Sequence, residues 1–494
     1  MKNKILFITT ILIIICSFNL SAQRKALKID SLLSKYYQYN QFSGVALIEY
    51  EGEVIYKKSY GFADRSWNIP NRTNSKFQIA SLSKLFTSVL IMQLVEQNKI
   101  NLDKKVSDYL DYFPYHIGSK ISIHDLLSHT SGIPEVTNTI DFEENLRFKD
   151  YKLFKKFIRD VQSFDLAFPN GTKSLYSNLN YIILGAIIEE VTQLSFKDAI
   201  KEYLLDYIKL ENTGCFSNEN VLPFYSKGYI TSIYGLKNSE FINYNVFHSA
   251  FGIYSTIDDI YAFHKALFNN KIVNSKNVYN IIEPSIGGWG YGIKNDTMYL
   301  NKGRNEKFRY INSSTFNGFS ICYINIPEDN NTIILLDNIE DYSHKNKLEN
   351  IANNIISILY DKQYDPPKQY LSNLLAQIAL TENIDNATQK YYNMKPKELK
   401  LYDELKAEHL NGIALSLYYD NKSKEAFKIL NLNNVLFPKN YKVLFTLGLV
   451  YYYIGDTSNS LKYFNESIKN NANNTPEKME YYINANNFLK KLMK

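Results

Sequence analysis

Residues 76–110 of the chain are KFQIASLSKLFTSVLIMQLVEQNKINLDKKVSDYL, and the segment SLSK at 81–84 is their sharpest signal. Apolar residues recur near helical spacing, which predicts a helix over 77–98. Positions three apart share a helix face, so the Ser81 hydroxyl is expected beside the Lys84 amine. A serine hydroxyl becomes a nucleophile when a base takes its proton, and burial makes a lysine that base by lowering its pKa. Serine and lysine at this spacing are common by chance, so the pair needs further support.

A second signal is Tyr176-Ser177-Asn178, which follows the turn FPNG at 168–171 and precedes a predicted helix over 179–192. Tyr176 is placed to relay protons between Ser81 and a leaving group. Asn178 is placed to hold a substrate amide together with Lys84. Taken alone, the pair is more typical of a core tyrosine and a helix-capping asparagine.

Four further segments join these two signals into one pattern: FSGVALIEYEGEVIYKKSYGFAD at 42–64, IHDLLSHTSGIP at 123–134, FPNGTKSLYSNLNYIILGAIIEEVT at 168–192 and FGIYSTIDDIYAF at 251–263. With the opening segment, they resemble the serine beta-lactamase and penicillin-binding protein superfamily, in its class C and D-alanyl-D-alanine carboxypeptidase branch. The order is the family's, and the resemblance covers about residues 40–360.

The resemblance implies a catalytic role for four residues. Ser81 is the expected acylated nucleophile and Lys84 its base partner, while Tyr176 is the expected proton relay and Asn178 the amide-binding residue. The Ser81 backbone N–H is expected to supply half of the oxyanion hole.

The third family motif is altered. The family has Lys or His, then Thr or Ser, then Gly, shortly before a Gly-Phe pair, which here is Gly318-Phe319. The motif then falls on Asn312-Ser313-Ser314. Asn312 carries no charge to pair with a substrate carboxylate, and Ser314 adds a side chain where the family wants close backbone approach.

The altered motif leaves the substrate contacts open. Asn312, Ser313 and Thr315 remain the expected substrate-binding residues, with the Thr315 N–H as the second oxyanion donor. Lys307 and Arg309, just upstream, are alternative sources of the missing positive charge.

The fold predicted from these elements is α/β. Strands over 42–60, 318–326 and 332–337 and a helix over 348–359 indicate a layered domain with a helical second lobe. The resemblance makes this a beta-lactamase/transpeptidase-like antiparallel sheet flanked by helices, followed by an all-α repeat domain.

The best domain boundary is Asp365-Pro366-Pro367, because two prolines break a helix. We therefore predict a hydrolase domain over 23–365 and a helical domain over 366–494. Within the latter, units starting at Ala407 and Tyr441 resemble tetratricopeptide repeats, although Asn421 and Ser460 replace the usual Gly and Ala. An ordinary helical bundle is the alternative.

Residues 1–22 have the pattern of a signal peptide, with Lys2 and Lys4 before the apolar run 5–15 and a small residue, Ala22, for cleavage. This predicts a periplasmic or secreted protein whose only membrane contact would be an uncleaved signal segment. Past this segment only Cys215 and Cys322 remain, which we expect to be buried free thiols, with one disulfide as the alternative.

The remaining observations exclude several functions. The net charge of +6 is a small excess spread over 494 residues and does not form a basic stripe, so nucleic-acid binding is not expected. His124 and His129 lack an obvious third ligand nearby, so neither a metal nor a cofactor is predicted, and both histidines are expected to be structural.

Two functions follow from the pattern. The first is a serine hydrolase in which Ser81 attacks an amide or ester carbonyl of a small-molecule or peptide substrate and water releases the acyl group. The second is a catalytically weak or inactive sensor or binding protein, altered at 312–314, whose repeats recruit a protein partner.

Overall fold

The structure is a computed structural model that describes residues 2–135, 165–299, 306–471, 484–486, 488–489 and 492. The chain forms two compact units. The first comprises Met1–Tyr229, Asn238–Glu340 and Leu348–Asp365. The second begins at Pro366, at the proline pair, and also takes in the short segments Ile230–Lys237 and Asp341–Lys347, which the sequence did not assign to it.

The first unit is built around an antiparallel sheet of six strands, which in spatial order are β10 (Lys294–Tyr299), β11 (Glu306–Phe316), β12 (Phe319–Ile326), β13 (Asn331–Asp337), β1 (Gly44–Tyr50) and β2 (Glu53–Ser59). The N-terminal strand β1 therefore pairs with β13 from the far end of the domain. The other strands among the described residues are β3 (Phe62–Asp64), β4 (Ile69–Pro70), β5 (Phe77–Gln78), β6 (Gly214–Cys215), β7 (Tyr229–Ser232), β8 (Gly235–Asn238), β9 (Ile253–Ser255) and β14 (Ile339–Glu340).

Helices cover both faces of this sheet. Side chains alternate along a strand, so Val45 and Leu47 join one buried cluster while Ala46 and Ile48 join another. The first cluster includes the helices Ser83–Glu96 and Asn178–Thr192, and the second includes the end of the N-terminal helix and the helix Lys347–Leu359. The predicted α/β fold with a helix-flanked antiparallel sheet is thereby confirmed.

Two of the three helices predicted for the first unit have the expected bounds. The predicted helices over 179–192 and 348–359 are present within one residue of their expected starts. Among the described residues, the helices are Lys2–Gln38, Ser83–Glu96, Tyr115–Gly118, Ile123–Leu127, Asn178–Thr192, Phe196–Ile200, His248–Phe251, Ile257–Phe268, Ser275–Ile282 and Lys347–Leu359.

The helix that carries the opening motif begins later than predicted. Instead of starting at Phe77, the chain forms strand β5, then a short 3₁₀ turn at Ala80–Leu82, and the α-helix begins at Ser83. β5 pairs with β9, which holds the segment extended. Ala80 then adopts a left-handed φ of 42°, an uncommon conformation for a residue with a side chain. Tertiary pairing thus overrides the helical pattern, and Ser81 sits on the turn.

The second unit is helical. The helices Ala407–Tyr419 and Ser423–Leu436 recur 34 residues later as Tyr441–Tyr453 and Thr457–Asn470. Before them lie Leu371–Thr381, Ile384–Asn393 and Pro396–Leu399.

Both departures from the repeat pattern have a local explanation. Asn421 and Gly455 end the first helix of each pair, and both have left-handed φ angles, of 58° and 79°. Asparagine tolerates this conformation better than other residues with side chains. The buried Ser460 hydroxyl donates a hydrogen bond to the Gly448 carbonyl, which satisfies the added polar atom.

The remaining sequence features lie in the first unit. Cys215 and Cys322 are both buried free thiols, which confirms the expectation. Residues 2–22 belong to the helix Lys2–Gln38. In the part of the chain that the structure describes, no helix combines the length and apolar character needed to cross a membrane.

Candidate active site

Ser81, Lys84 and Tyr176 meet where the 3₁₀ turn Ala80–Leu82 leads into the helix Ser83–Glu96. The Ser81 Oγ lies 2.7 Å from the Tyr176 Oη, and the Lys84 Nζ lies 3.2 Å from the same Oγ. The Asn178 Oδ1 accepts a 2.6 Å hydrogen bond from the Lys84 Nζ. A chain of hydrogen bonds therefore joins the four residues that the first two motifs indicated. It does so although 94 residues separate Lys84 from Asn178.

Lys84 is buried in a way that suits a general base. Its Nζ also donates to the Ala250 carbonyl at 2.9 Å, and only 1% of the residue is exposed. Burial lowers the Lys84 pKa to about 7, while the nearby Glu135 carboxylate acts in the opposite direction. A large share of the amine is therefore neutral near neutral pH and able to take the Ser81 proton.

Tyr176 is a neutral phenol. Burial raises its pKa well above the ordinary value, and the Glu135 charge raises it further. Its ring centroid lies 4.9 Å from the Lys84 ammonium position and 5.3 Å from the Trp289 ring. A neutral hydroxyl held at Ser81 Oγ can pass a proton onward, but it cannot serve as a standing phenolate base.

His129 positions the Tyr176 segment. Its Nδ1 accepts hydrogen bonds from the Ser177 N–H at 3.2 Å and the Asn180 side chain at 3.1 Å, and its ring lies 4.5 Å from the Tyr176 ring. Burial holds the His129 pKa well below its usual value, so the ring stays neutral with Nδ1 as an acceptor. His124 instead hydrogen-bonds Tyr291, so the two histidines do not converge on a common ligand.

Glu135 is a site residue that the sequence patterns did not single out. Its Oε2 accepts a 2.7 Å hydrogen bond from the Asn178 N–H, at the start of the helix Asn178–Thr192. A carboxylate is stabilised at a helix N-terminus by the unpaired amides there. The only sequence clue is its place directly after the segment at 123–134.

Strand β11 brings the altered third motif against Ser81. The Asn312 amide donates to the Ser81 carbonyl at 3.2 Å and to the Gly292 carbonyl at 3.0 Å, so both of its N–H groups are used. Its Oδ1 is buried without a hydrogen-bond partner among the described residues. The Ser314 Oγ accepts a 3.2 Å hydrogen bond from the Ser81 N–H, the expected oxyanion donor.

Gly292 is a second residue that the patterns missed. A Cβ at this position would lie 2.7 Å from the Lys84 carbonyl carbon and the Leu85 nitrogen, and its φ is 75°. Both the space and the backbone conformation therefore require glycine. The Gly292 carbonyl accepts a hydrogen bond from the Asn312 amide, which also donates to the Ser81 carbonyl. Asn312 of β11 is therefore bound to both segments.

The other residues near the third motif have different partners. On the opposite face of β11, Ser313 hydrogen-bonds Cys322, and the Thr315 hydroxyl lies 3.2 Å from the Ser320 hydroxyl. The buried Arg309 donates to Asp296 and Asn353, so its charge is engaged away from Ser81. The Lys307 side chain lies outside the described residues.

The chain is similar to known proteins in sequence and in fold. The family model described as Beta-lactamase matches residues 29–348. Teichoic acid D-alanine hydrolase from Staphylococcus aureus strain MRSA252 is 28% identical over 269 residues, which cover 54% of this chain. The match spans 61% of that relative's length, less than two thirds of it.

Two solved structures are similar to the chain. FmtA from Staphylococcus aureus has a TM-score of 0.56 at 25% identity, covering 70% of this chain and 89% of FmtA. A penicillin binding protein from Bacillus halodurans has the same TM-score and identity, covering 65% of this chain and 98% of that protein.

Proposed function

The chain belongs to the Beta-lactamase family, and from that premise we propose that it is a serine hydrolase that cleaves esters or amides of D-amino acids through a Ser81 acyl-enzyme. The observation that carries the proposal is the buried Lys84 amine, 3.2 Å from the Ser81 hydroxyl and with a pKa lowered to about 7.

The proposed reaction has two acyl-transfer steps. Neutral Lys84 takes the Ser81 proton as Oγ attacks the carbonyl carbon, and the resulting oxyanion is stabilised by backbone N–H groups. Tyr176 gives its proton to the leaving oxygen or nitrogen, which departs as an alcohol or amine, and Tyr176 regains a proton from Lys84, which becomes neutral again. Water then attacks the acyl-enzyme with the same base assistance, which releases the acid and restores Ser81.

The charges at the site favour a substrate with an amine over one with a carboxylate. Asn312 is neutral and its N–H groups are already bound, so no cation from this motif meets a carboxylate. The partly exposed Glu135 carboxylate instead lies beside Asn178 and acts on Lys84. A D-aminoacyl ester or amide has a free ammonium group next to its scissile carbonyl, and the similarity to a teichoic acid D-alanine hydrolase supports this class.

The proposal is tested first by covalent labelling. The purified chain should be labelled by a fluorophosphonate and should hydrolyse an O-D-alanyl ester. Ser81→Ala should lose both, because it removes only the nucleophile. Ser313→Ala, a serine on the opposite face of β11, is the matched control and should keep both. Equal ester turnover by Ser81→Ala and the wild type would refute the assignment of Ser81.

The recognition of the ammonium group is tested through Glu135→Gln. Replacing a charged hydrogen bond by a neutral one costs about 1–2 kcal/mol, which is about a tenfold change in binding. The variant should raise KM for a D-alanyl ester about tenfold and leave KM for the N-acetylated ester unchanged. Equal changes in KM for both esters would show that Glu135 does not recognise the substrate amine.

One observation favours the second candidate, a binding or sensor protein with little turnover. The Ser81 N–H is already bound to the Ser314 Oγ, so the oxyanion site is partly occupied. Stoichiometric labelling by a fluorescent penicillin without release, together with no turnover of any ester, would favour this candidate over the hydrolase.

The proposal also covers the export of the protein and the separate roles of its two units. Removal of residues 1–22 would leave the packed end of the N-terminal helix intact, including the buried Lys25, whose Nζ donates to the Leu359 carbonyl at 2.7 Å. We propose a periplasmic or secreted hydrolase domain over 23–365 and tetratricopeptide-like repeats within 366–494 that bind a protein partner. The mass of the mature N-terminal peptide from the cell-free fraction tests the cleavage site.

A further inference from the structure

Three side chains with metal-binding donor atoms converge in the second unit, well away in sequence from the serine motif. They are His344, Asp403 and His409. The first comes from the segment Asp341–Lys347, and the other two flank the start of the helix Ala407–Tyr419. One donor atom from each side chain lies within 4.8 Å of the other two.

The distances suit a single ion. The Asp403 Oδ2 lies 3.0 Å from the His344 Nε2 and 3.7 Å from the His409 Nδ1. Two ligands that bind one zinc ion at about 2.0–2.1 Å lie about 3–3.5 Å apart in octahedral or tetrahedral geometry. These two separations bracket this range, and the two histidine nitrogens lie within 4.8 Å of each other, so small side-chain movements would bring all three atoms to a common ion.

The His409 Nδ1 is a buried nitrogen whose hydrogen-bonding capacity is not satisfied among the described residues. It is buried and has no hydrogen-bond partner in the part of the chain that the structure describes, and 13% of the side chain is exposed. An unpaired buried nitrogen destabilises the folded protein unless a partner is supplied. A metal ion bound to the nitrogen lone pair would be that partner.

His344 is oriented by groups behind and above its ring. Its Nδ1 lies 3.7 Å from the Asp341 Oδ2, and its ring stacks on Tyr370 with centroids 3.4 Å apart. Asp341 is itself fixed, because its Oδ1 accepts from the Ser343 N–H and hydroxyl. A carboxylate behind a histidine is the usual partner of a metal-bound imidazole, since it sets the tautomer and increases basicity.

Asp403 is also held in place. Its Oδ1 accepts a 2.8 Å hydrogen bond from the Leu371 N–H, which leaves Oδ2 directed at the two histidines. With 22% of its side chain exposed, Asp403 gives the cluster an opening to solvent.

We propose that the second unit binds one divalent transition-metal ion, with Zn²⁺ as the best match, through His344 Nε2, His409 Nδ1 and the Asp403 carboxylate. Two imidazole nitrogens and one carboxylate oxygen are a typical set of three zinc ligands, with water at the fourth position. The ion would cross-link the segment 341–347 to the helical repeats, across 59 residues between His344 and Asp403. The sequence predicted no metal site because its spacing does not show that these residues meet.

The test uses full-length protein without a polyhistidine tag, stripped of metal with a chelator and titrated with Co²⁺ alone. We expect one equivalent of Co²⁺ to give the intense visible absorption of a four-coordinate site, and Zn²⁺ to abolish that absorption. His409→Gln and Asp403→Asn should lose the absorption. Asp341→Asn, which removes only the supporting carboxylate, should weaken binding about 10- to 100-fold.

His116→Gln, which changes an exposed histidine of the first unit, is the matched control and should bind as the wild type does. A second measurement needs no variants: Zn²⁺ should protect His344 and His409 from acylation by diethyl pyrocarbonate, mapped by mass spectrometry, and should leave His116 reactive. The proposal is overturned if the wild type binds no Co²⁺ at one equivalent, if binding survives both ligand variants, or if neither histidine is protected. Those results would leave His344 and Asp403 as a simple hydrogen-bonded pair.

Discussion

Replacing Ser314 by alanine should make the proposed hydrolase faster. The Ser81 N–H, the expected oxyanion donor, donates to the Ser314 Oγ at 3.2 Å. During the reaction this N–H has to leave the serine oxygen before it can bind the developing oxyanion. The Ser314→Ala change removes the competing acceptor and adds no atoms to the site.

The magnitude follows from the cost of that exchange. A neutral hydrogen bond contributes about 0.5–1.5 kcal/mol net, which corresponds to a rate increase of about 2- to 10-fold. The opposite role, in which the Ser314 hydroxyl itself donates to the oxyanion, would make its loss cost about 100-fold or more in kcat. The two roles therefore differ in sign as well as in size.

The assay is the rate of acyl-enzyme formation, measured as the burst of p-nitrophenol from a p-nitrophenyl ester in the first turnover. Burst kinetics separate acylation, where the oxyanion forms first, from the later hydrolysis. Ser313→Ala serves as the control, because this neighbouring side chain hydrogen-bonds Cys322 on the other face of β11. Its burst rate should equal that of the wild type.

A burst rate that falls about 100-fold in Ser314→Ala would refute the reasoning and make Ser314 an oxyanion donor in its own right. An unchanged rate would also contradict it, because the N–H would then not be the limiting donor. Circular dichroism of the variant should match the wild type, since the Ser314 side chain is partly exposed.

Three further predictions concern the site and the second unit. The value of kcat/KM should fall as the pH drops through about 7, because protonated Lys84 cannot take a proton. Glu135→Gln should move this fall to lower pH, because Glu135 raises the Lys84 pKa. A fall near pH 10 would contradict the assignment of Lys84. The turnover rate of a chromogenic cephalosporin should be lower than that of a neutral ester by a factor of about ten or more. Asn312→Lys should reduce the difference between the two rates by adding a cation for the carboxylate. Efficient turnover of the cephalosporin by the wild type would contradict this prediction. A fragment of residues 366–494 should give a helical circular dichroism spectrum, and a random-coil spectrum would show that the unit boundary is wrong.

The sequence alone indicated the four residues that we propose as catalytic, because they belong to local patterns. Ser81 and Lys84 stand three residues apart, and Tyr176 and Asn178 stand two apart at the start of a helix, so local geometry and motif order identify each pair. Four of the six strands of the sheet, β1, β2, β12 and β13, were also predicted, and β12 and β13 are buried on both faces and mostly apolar. β10 and β11 were not predicted.

The tertiary structure alone decided how these local patterns are used. The pairing of β5 with β9 delays the helix start, and contacts across 231 and 233 residues bring Asn312 and Ser314 to the backbone of Ser81. No periodicity or spacing encodes such contacts, because they depend on how strands and helices from distant parts of the chain pack together. The convergence of His344, Asp403 and His409 has the same origin, since a loop between two elements acquires its neighbours only when the units have folded.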